Sequence, residues 1–471
     1  MESRPSRKTF QTRLDAFVNG LREEIVSGKR AAGEFLPSER AFSEQYKLSN
    51  LSVRKGLDIL VAEGLIVKIP RIGNKVADPA EGGTVCIKFG YHTSIPREAA
   101  IDQLLDLFRK KHPNIRVQAV PLVNESESAI RQYMDNGMLD VVTINYNMFR
   151  AFLEQAMDGD YLEPLKPNPG IYPFLTDAFT VKGRLLVQPF IFSPVILCYN
   201  VDHFIEKQMP EPDSGWSWQQ LFDTAARLAI PNERLGFYYH FLSANRWSVF
   251  LLQRGGSFER TSDGRVKLRG TRMMEAFRFC REVQEHFPIL SENIANGDSE
   301  KLFLAGKVSV IMTSYFHLNF LKGSPLRFDI APLPHFGEPK TLLLSIGLSV
   351  NRKSENKEAA MKLVEFLTSG SAQLMIRQQT YSLPALKSAA ERGGEETMYR
   401  PSRFALFREI VPTFRYFTDL HIGEKEMRTI ENEVRLYWAG LEQEESFCTR
   451  MEKLLSPEEI GASVPPGLPA G

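Results

Sequence analysis

From Arg13 onward apolar residues recur at intervals of three and four: Leu14, Phe17, Val18, Leu21 and Ile25 share one side of a helix, and Ser27-Gly28 stops it. After the turn Ala31-Ala32-Gly33-Glu34, Ser38 stands where an N-cap belongs, and Phe42 and Tyr46 continue the buried side of a short second helix. Lys47-Leu48-Ser49-Asn50 is another polar break, with Ser49 as the next cap. Val53, Leu57, Leu60 and Val61 then form the stripe of a third helix ending near Gly64. The run Leu65 to Val76 reads as two short strands around a basic tip, which makes a wing. Opposite the stripe of the third helix lie Asn50, Ser52, Arg54 and Lys55, where a recognition helix presents side chains to base edges and phosphates. Arg71 and Lys75 add positive charge on the wing.

The pattern then changes. Residues 79–84 are small, polar and rich in Pro and Gly, which marks a linker after a reader at 1–78. Val85 to Phe89 reads as a buried strand, and a helix follows on Ile101, Leu104, Leu105 and Phe108. Ile115 to Val120 and Leu139 to Ile144 are the next strands. Strands alternating with helices imply a mostly parallel sheet with a ligand crevice beyond the strands' carboxyl ends. This second region is expected to run to residue 455, with a flexible tail at 456–471.

At 471 residues the chain is too long for one ordinary core. The 43% hydrophobic and 24% charged residues fit a soluble globular protein, and no stretch nears the roughly 18 apolar residues of a membrane span. The positive charges of Met1 to Lys8 have no apolar segment behind them, so the expected location is the cytoplasm. The four cysteines, Cys86, Cys198, Cys280 and Cys448, are far apart and read as buried thiols. Splitting the chain after residue 80 gives 14 Lys+Arg against 10 Asp+Glu before it and 44 against 47 after it, or +4 beside −3. That asymmetry suits a nucleic-acid reader joined to a sensor. No H-E-x-x-H, G-x-S-x-G or G-x-x-x-x-G-K-[ST] occurs, so hydrolase and nucleotide-hydrolysis chemistry have no support. Neither a metal nor a cofactor is expected.

Leu36-Pro37-Ser38-Glu39-Arg40, Ser52-Val53-Arg54-Lys55-Gly56-Leu57 and Glu63-Gly64-Leu65-Ile66 together resemble the GntR family of regulators over about residues 12 to 78. The resemblance implies DNA contacts by Arg40, Ser52 and Arg54. The wing departs from the family's Gly-x-Gly-Thr-x-Val, reading Arg71-Ile72-Gly73-Asn74-Lys75-Val76. From about Val85 to Leu455 an ordered series of segments resembles the ABC-type solute-binding proteins that capture sugars. Among them are Val181 to Phe190, Leu197 to Phe204, Gln253-Arg254-Gly255-Gly256, Phe303 to Val310 and Ile330 to Pro334. The fold implied is a winged helix-turn-helix followed by a two-lobed, periplasmic-binding-protein-like (type II) α/β domain.

Sugar pockets need flat apolar faces and a few fixed polar groups. The candidate ligand residues are Asn145 and Tyr146 after the third strand, Trp247 foremost, Tyr315 and Tyr381, with Tyr91 and His92 weaker. Trp216 and Trp218 read as structural. The function that follows is a homodimeric regulator binding operator DNA and a small effector, most naturally a saccharide, away from any membrane. One alternative is a GntR regulator carrying an aminotransferase-like pyridoxal-phosphate domain, with Lys357 of Ser354-Glu355-Asn356-Lys357 as the attachment point. The other is an exported sugar-transport receptor.

Overall fold

A computed structural model of the chain describes residues 7–69, 72–77, 85–123, 126–154, 161–287, 298–393 and 398–457. The expected linker at 79–84, and all but the first two residues of the expected tail, lie outside the described residues. The backbone divides into two compact units, residues 1–190 with 346–373 and residues 191–345 with 374–471.

The first unit begins with α1 (Arg7–Val26), α2 (Glu39–Tyr46) and α3 (Asn50–Ala62). Phe17 of α1 centres their core, 5.2 Å from the Phe42 ring and 5.0 Å from Tyr46. The crossing of α1 and α3 is so close that a Cβ on Gly56 would sit 2.6 Å from the Phe17 ring, which is why the helix tolerates glycine there. Ser38 accepts from the Ala41 amide and Ser49 from the Ser52 amide, so both expected N-caps form. Strands β1 (Ile66–Ile69) and β2 (Gly73–Val76) pair antiparallel, Ile66 opposite Val76, and Phe35 bridges to Lys75 as a third strand of the wing.

In the same unit β3 (Val85–His92) lies between β4 (Ile115–Leu122) and β5 (Val141–Asn145), parallel to both. Residues 346–350 run antiparallel to β5. Helix α4 (Ile101–Lys111) buries Ile101, Leu104, Leu105 and Phe108, the stripe its sequence announces. After α5 (Glu127–Asp135) the chain is tied down by Asn351, whose Nδ2 donates to the Met134 carbonyl at 2.9 Å and the Leu139 carbonyl at 2.8 Å. The reader is seated on this sheet. Gly64, at φ +73°, has the Arg116 guanidinium of β4 only 3.2 Å from where a Cβ would stand, and Gly28 meets Met138 in the same way at 3.1 Å. Ile25, Leu65 and Val76 of the reader share a crevice with Lys88, Gln118 and Val120.

In the second unit β6 (Gln188–Asn200, in this unit from Ile191) is flanked by β8 (Val308–Ser314), with Val310 opposite Tyr199, and β8 runs parallel to β7 (Leu235–Tyr239). Strand β9 (Phe328–Ala331) pairs antiparallel with β6. All 13 residues of β6 are buried, so it shows no alternation of apolar and polar positions. Helix α7 (Trp218–Leu228) lies hard against β7: a Cβ on Gly236 would fall 1.8 Å from the Ala225 carbonyl oxygen. Trp218 is interior, its Nε1 donating to Gln253 at 2.8 Å, in agreement with its structural reading.

Candidate functional site

The reader presents Asn50, Arg54 and Lys55 on the exposed side of α3's first turns. The Arg54 guanidinium makes two bonds to the Glu39 carboxylate, 3.2 Å from Nε and 2.8 Å from Nη2, while the side chain stays 57% exposed. This hydrogen-bonded charge holds the Glu39 carboxyl below its usual range. Arg40 is nearly fully exposed and pairs with Glu44 one turn on at 3.1 Å. Ser52 corrects the sequence expectation: it is buried, and its hydroxyl lies 2.7 Å from that of Ser49, so the cap rather than a surface takes it up. Lys75 is half-buried in β2, and Arg71 lies outside the described residues.

The aromatic candidates for ligand contact are placed differently from the expectation. Trp247 is 1% exposed and packs edge-on against Trp438 at 5.3 Å. Tyr315 and Tyr381 come together around Phe404, with ring centroids at 5.2 and 6.3 Å. The Tyr315 hydroxyl donates to the Phe404 carbonyl and the Tyr381 hydroxyl to the Tyr399 carbonyl. All three are interior side chains in this structure, because aromatic faces gain more from close packing than from water. Tyr146, the first residue of helix α6 (Tyr146–Glu154), is buried beside Phe179. Asn145 accepts from the Met148 amide at 2.8 Å and so starts that helix. Lys357, the attachment point of the pyridoxal-phosphate alternative, is in a partly exposed ion pair with Glu163 at 2.9 Å.

Sequence reading missed a charged group in the second unit. It is built from His240 just after β7, Arg246 in α8 (Ala244–Phe250), Glu300 in α10 (Asp298–Leu304), Thr313 in β8 and His317 in α11 (Tyr315–Leu318); α9 (Arg272–His286) packs behind α8. Glu300 accepts from the Thr313 hydroxyl at 2.5 Å and from Ser299 at 3.0 Å. The His317 Nδ1 stands 3.3 Å from both Glu300 Oε1 and Arg246 Nη2, so its tautomer decides which neighbour it bonds. Burial alone would push the Glu300 carboxyl up. The hydrogen bond and charge of His317, the Arg246 guanidinium and the Thr313 hydroxyl outweigh it and hold the pKa at about 2. Burial lowers His240, and the Arg246 charge adds to that. Three segments spaced along seventy-odd residues supply this group, and only Asn245-Arg246 beside Trp247 gave any hint of it.

Comparison with known proteins fixes the architecture. A profile of bacterial extracellular solute-binding proteins matches residues 103–399. The chain belongs to that family. Residues 16–76 match bacterial regulatory proteins of the gntR family, so a winged helix-turn-helix precedes the solute-binding body. A mannitol-binding protein of Pseudomonas aeruginosa is 30% identical over 145 residues, 28% of this chain and 31% of that protein. The sn-glycerol-3-phosphate-binding periplasmic protein of Salmonella typhimurium is 23% identical over 58% of this chain and 66% of its own length. The chain thus spans about a third of the one relative and two thirds of the other. Among solved structures, the maltose-bound binding protein of T. maritima superposes with a TM-score of 0.67 at 18% identity, over 79% of this chain and 98% of that one. The maltotriose-bound protein of Thermus thermophilus gives 0.62 at 19%, over 80% and 100%. These likenesses establish the solute-binding fold. Among the described residues no helix is long and apolar enough to cross a membrane.

Proposed function

We propose that the chain is a cytoplasmic, homodimeric transcription regulator whose operator affinity is set by a saccharide or oligosaccharide held in the solute-binding body. The observation that carries this reading is the joining of a gntR-type reader and a solute-binding body in one chain. The reader's seat on the β3–β4 sheet supports it, since the body can then act on the reader through packed side chains as well as through a tether. The ligands named for the similar proteins, mannitol, sn-glycerol-3-phosphate, maltose and maltotriose, all carry hydroxyl groups and support a polyol or sugar effector. Dimerisation supplies two recognition helices for two half-sites, because one small reader covers too few base pairs.

The test begins by selecting an operator from a randomised duplex pool with the full chain. Operator affinity is then measured by fluorescence anisotropy with and without saturating mannitol, maltose and maltotriose. A coupling of 1 to 3 kcal/mol predicts a change of about 5- to 150-fold with at least one sugar. Operator affinity that no member of the panel alters refutes effector control, and failure to select any sequence refutes the DNA assignment.

A further inference from the structure

Ligands of open α/β sheets bind beyond the carboxyl ends of the parallel strands. In the second unit those are the ends of β7 and β8, and His240, Arg246, Glu300, Thr313 and His317 meet there. Helix α10 turns into β8 through Ala305 to Lys307, so its first residues lie beside the last residues of that strand, which brings Glu300 to Thr313. Arg246 is 2% exposed and Glu300 is fully buried. Arg246 Nη1 donates to the Asn245 carbonyl at 3.2 Å and Nη2 faces His317. Two buried nitrogens have no partner among the described residues, Arg246 Nε and His240 Nδ1. Buried polar atoms are nearly always paired, so these two ask for an occupant.

The charges limit what that occupant is. Arg246 is balanced by Glu300, and the nearby carboxylate of Asp298 is in turn paired with the exposed Lys301 at 3.3 Å. When His317 accepts from Arg246 Nη2 it carries no charge, and no cation among the described residues of the group is then left in surplus. A phosphate or carboxylate placed here would be a buried anion beside Glu300 without a counter-charge of its own, a costly arrangement. A hydroxyl meets the need at no such cost, because its oxygen accepts from the Arg246 Nε–H and its hydrogen donates to an unprotonated His240 nitrogen.

We propose that His240 and Arg246 form a subsite for the hydroxyl groups of a neutral polyol or sugar, and that the balanced Arg246–Glu300 pair makes it reject phosphorylated and carboxylated sugars. The subsite rests on the saccharide-sensing reading above.

Matched neutral and anionic compounds test this by calorimetry on the full chain: mannitol with mannitol 1-phosphate, glucose with glucose 6-phosphate and gluconate, and maltose. The expected result is binding of a neutral compound, with no binding of its anionic partner or binding at least about tenfold weaker. His240→Phe and Arg246→Lys should each weaken the neutral ligand by about tenfold or more at unchanged melting temperature. Glu300→Gln should narrow the preference over the anionic partner, since it leaves Arg246 unbalanced. If Arg246→Lys melts early, His240→Phe together with ligand-induced shifts of the His240 ring in 15N NMR decides the matter. An anionic compound that binds as tightly as its neutral partner, or His240→Phe binding like the wild type, overturns the subsite and leaves the sensor reading standing. Binding by no compound at all overturns both.

Discussion

Replacing Glu300 by Gln removes the carboxylate that, among the described residues, balances the buried Arg246, and the structure sets the size of the effect. The carboxyl sits at about 2 in the folded chain against an ordinary 4.5. At 1.36 kcal/mol per pH unit that gap corresponds to about 3 kcal/mol of stability. Because the folded value is the depressed one, the contribution is fully present above pH 4.5 and is lost as the pH falls from 4.5 toward 2. Trp216, Trp218, Trp247 and Trp438 are the chain's four tryptophans, and all belong to the second unit, so intrinsic fluorescence during urea unfolding reports that unit alone. With an m-value of about 3 kcal/mol/M, the variant's midpoint should fall by about 1 M urea near neutral pH. The wild-type and variant curves should draw together as the pH drops from 4.5 to 2. Equal midpoints near neutrality, or a gap that stays constant through that window, would refute the assignment of a charged, stabilising Glu300.

Arg54→Ala should weaken operator binding by about 1 to 3 kcal/mol while leaving random-sequence DNA binding nearly unchanged, whereas Arg40→Ala should weaken both alike; anisotropy on the two duplexes distinguishes them. Gly236→Ala brings a methyl 1.8 Å from a backbone oxygen that has no room to retreat. It should cost the second unit about 3 kcal/mol or more, and a soluble variant of wild-type stability would contradict the close approach of α7 and β7. Tyr315→Phe loses the 2.9 Å bond to the Phe404 carbonyl. It should lower stability by about 1 kcal/mol and leave saccharide affinity intact; a large loss of affinity would return Tyr315 to the ligand site. Combining Arg116→Ala with Met138→Ala loosens the reader's seat, so the effect of sugar on operator affinity should shrink while each binding reaction persists. Undiminished coupling would place the signal in the tether.

The reader was legible in its helices and wing strands, although α1 begins at Arg7, ahead of the apolar stripe that opens at Leu14. Its elements are short and local, and the two serine caps, the stripe through Val53, Leu57 and Leu60, and the glycine stops each act within one turn of chain. The sheet of the first unit was legible for the same reason. Strand β6 was not seen as one element: it is buried on both faces, and a pattern that never alternates carries no period to read. Trp247, Tyr315 and Tyr381 were expected at a ligand because aromatic rings beside loops serve either packing or recognition, and composition does not say which. The His240, Arg246 and Glu300 group escaped because its members meet only after β7 and β8 pair and α10 folds back along β8. Ser52 was misplaced by one helical face: position N3 of α3 turns its hydroxyl toward its own cap.

The pairing of Arg54 with Glu39 bears on how this protein behaves as ionic strength changes. Each lysine or arginine that neutralises a DNA phosphate displaces a condensed counterion, which adds about 0.9 to the slope of log affinity against log salt. Arg54 comes with its counter-charge attached, two of its donor nitrogens already on Glu39, so under the proposed function it meets DNA as a nearly neutral pair. It therefore displaces few ions and adds little to that slope. Arg40, whose partner Glu44 is exposed and one turn away, would under the proposed function exchange it for a phosphate and carry the full salt dependence. Raising the salt thus strips the sequence-blind part of the affinity first. The ratio of operator to random-site binding should climb with ionic strength, so the regulator discriminates best where it holds DNA least tightly.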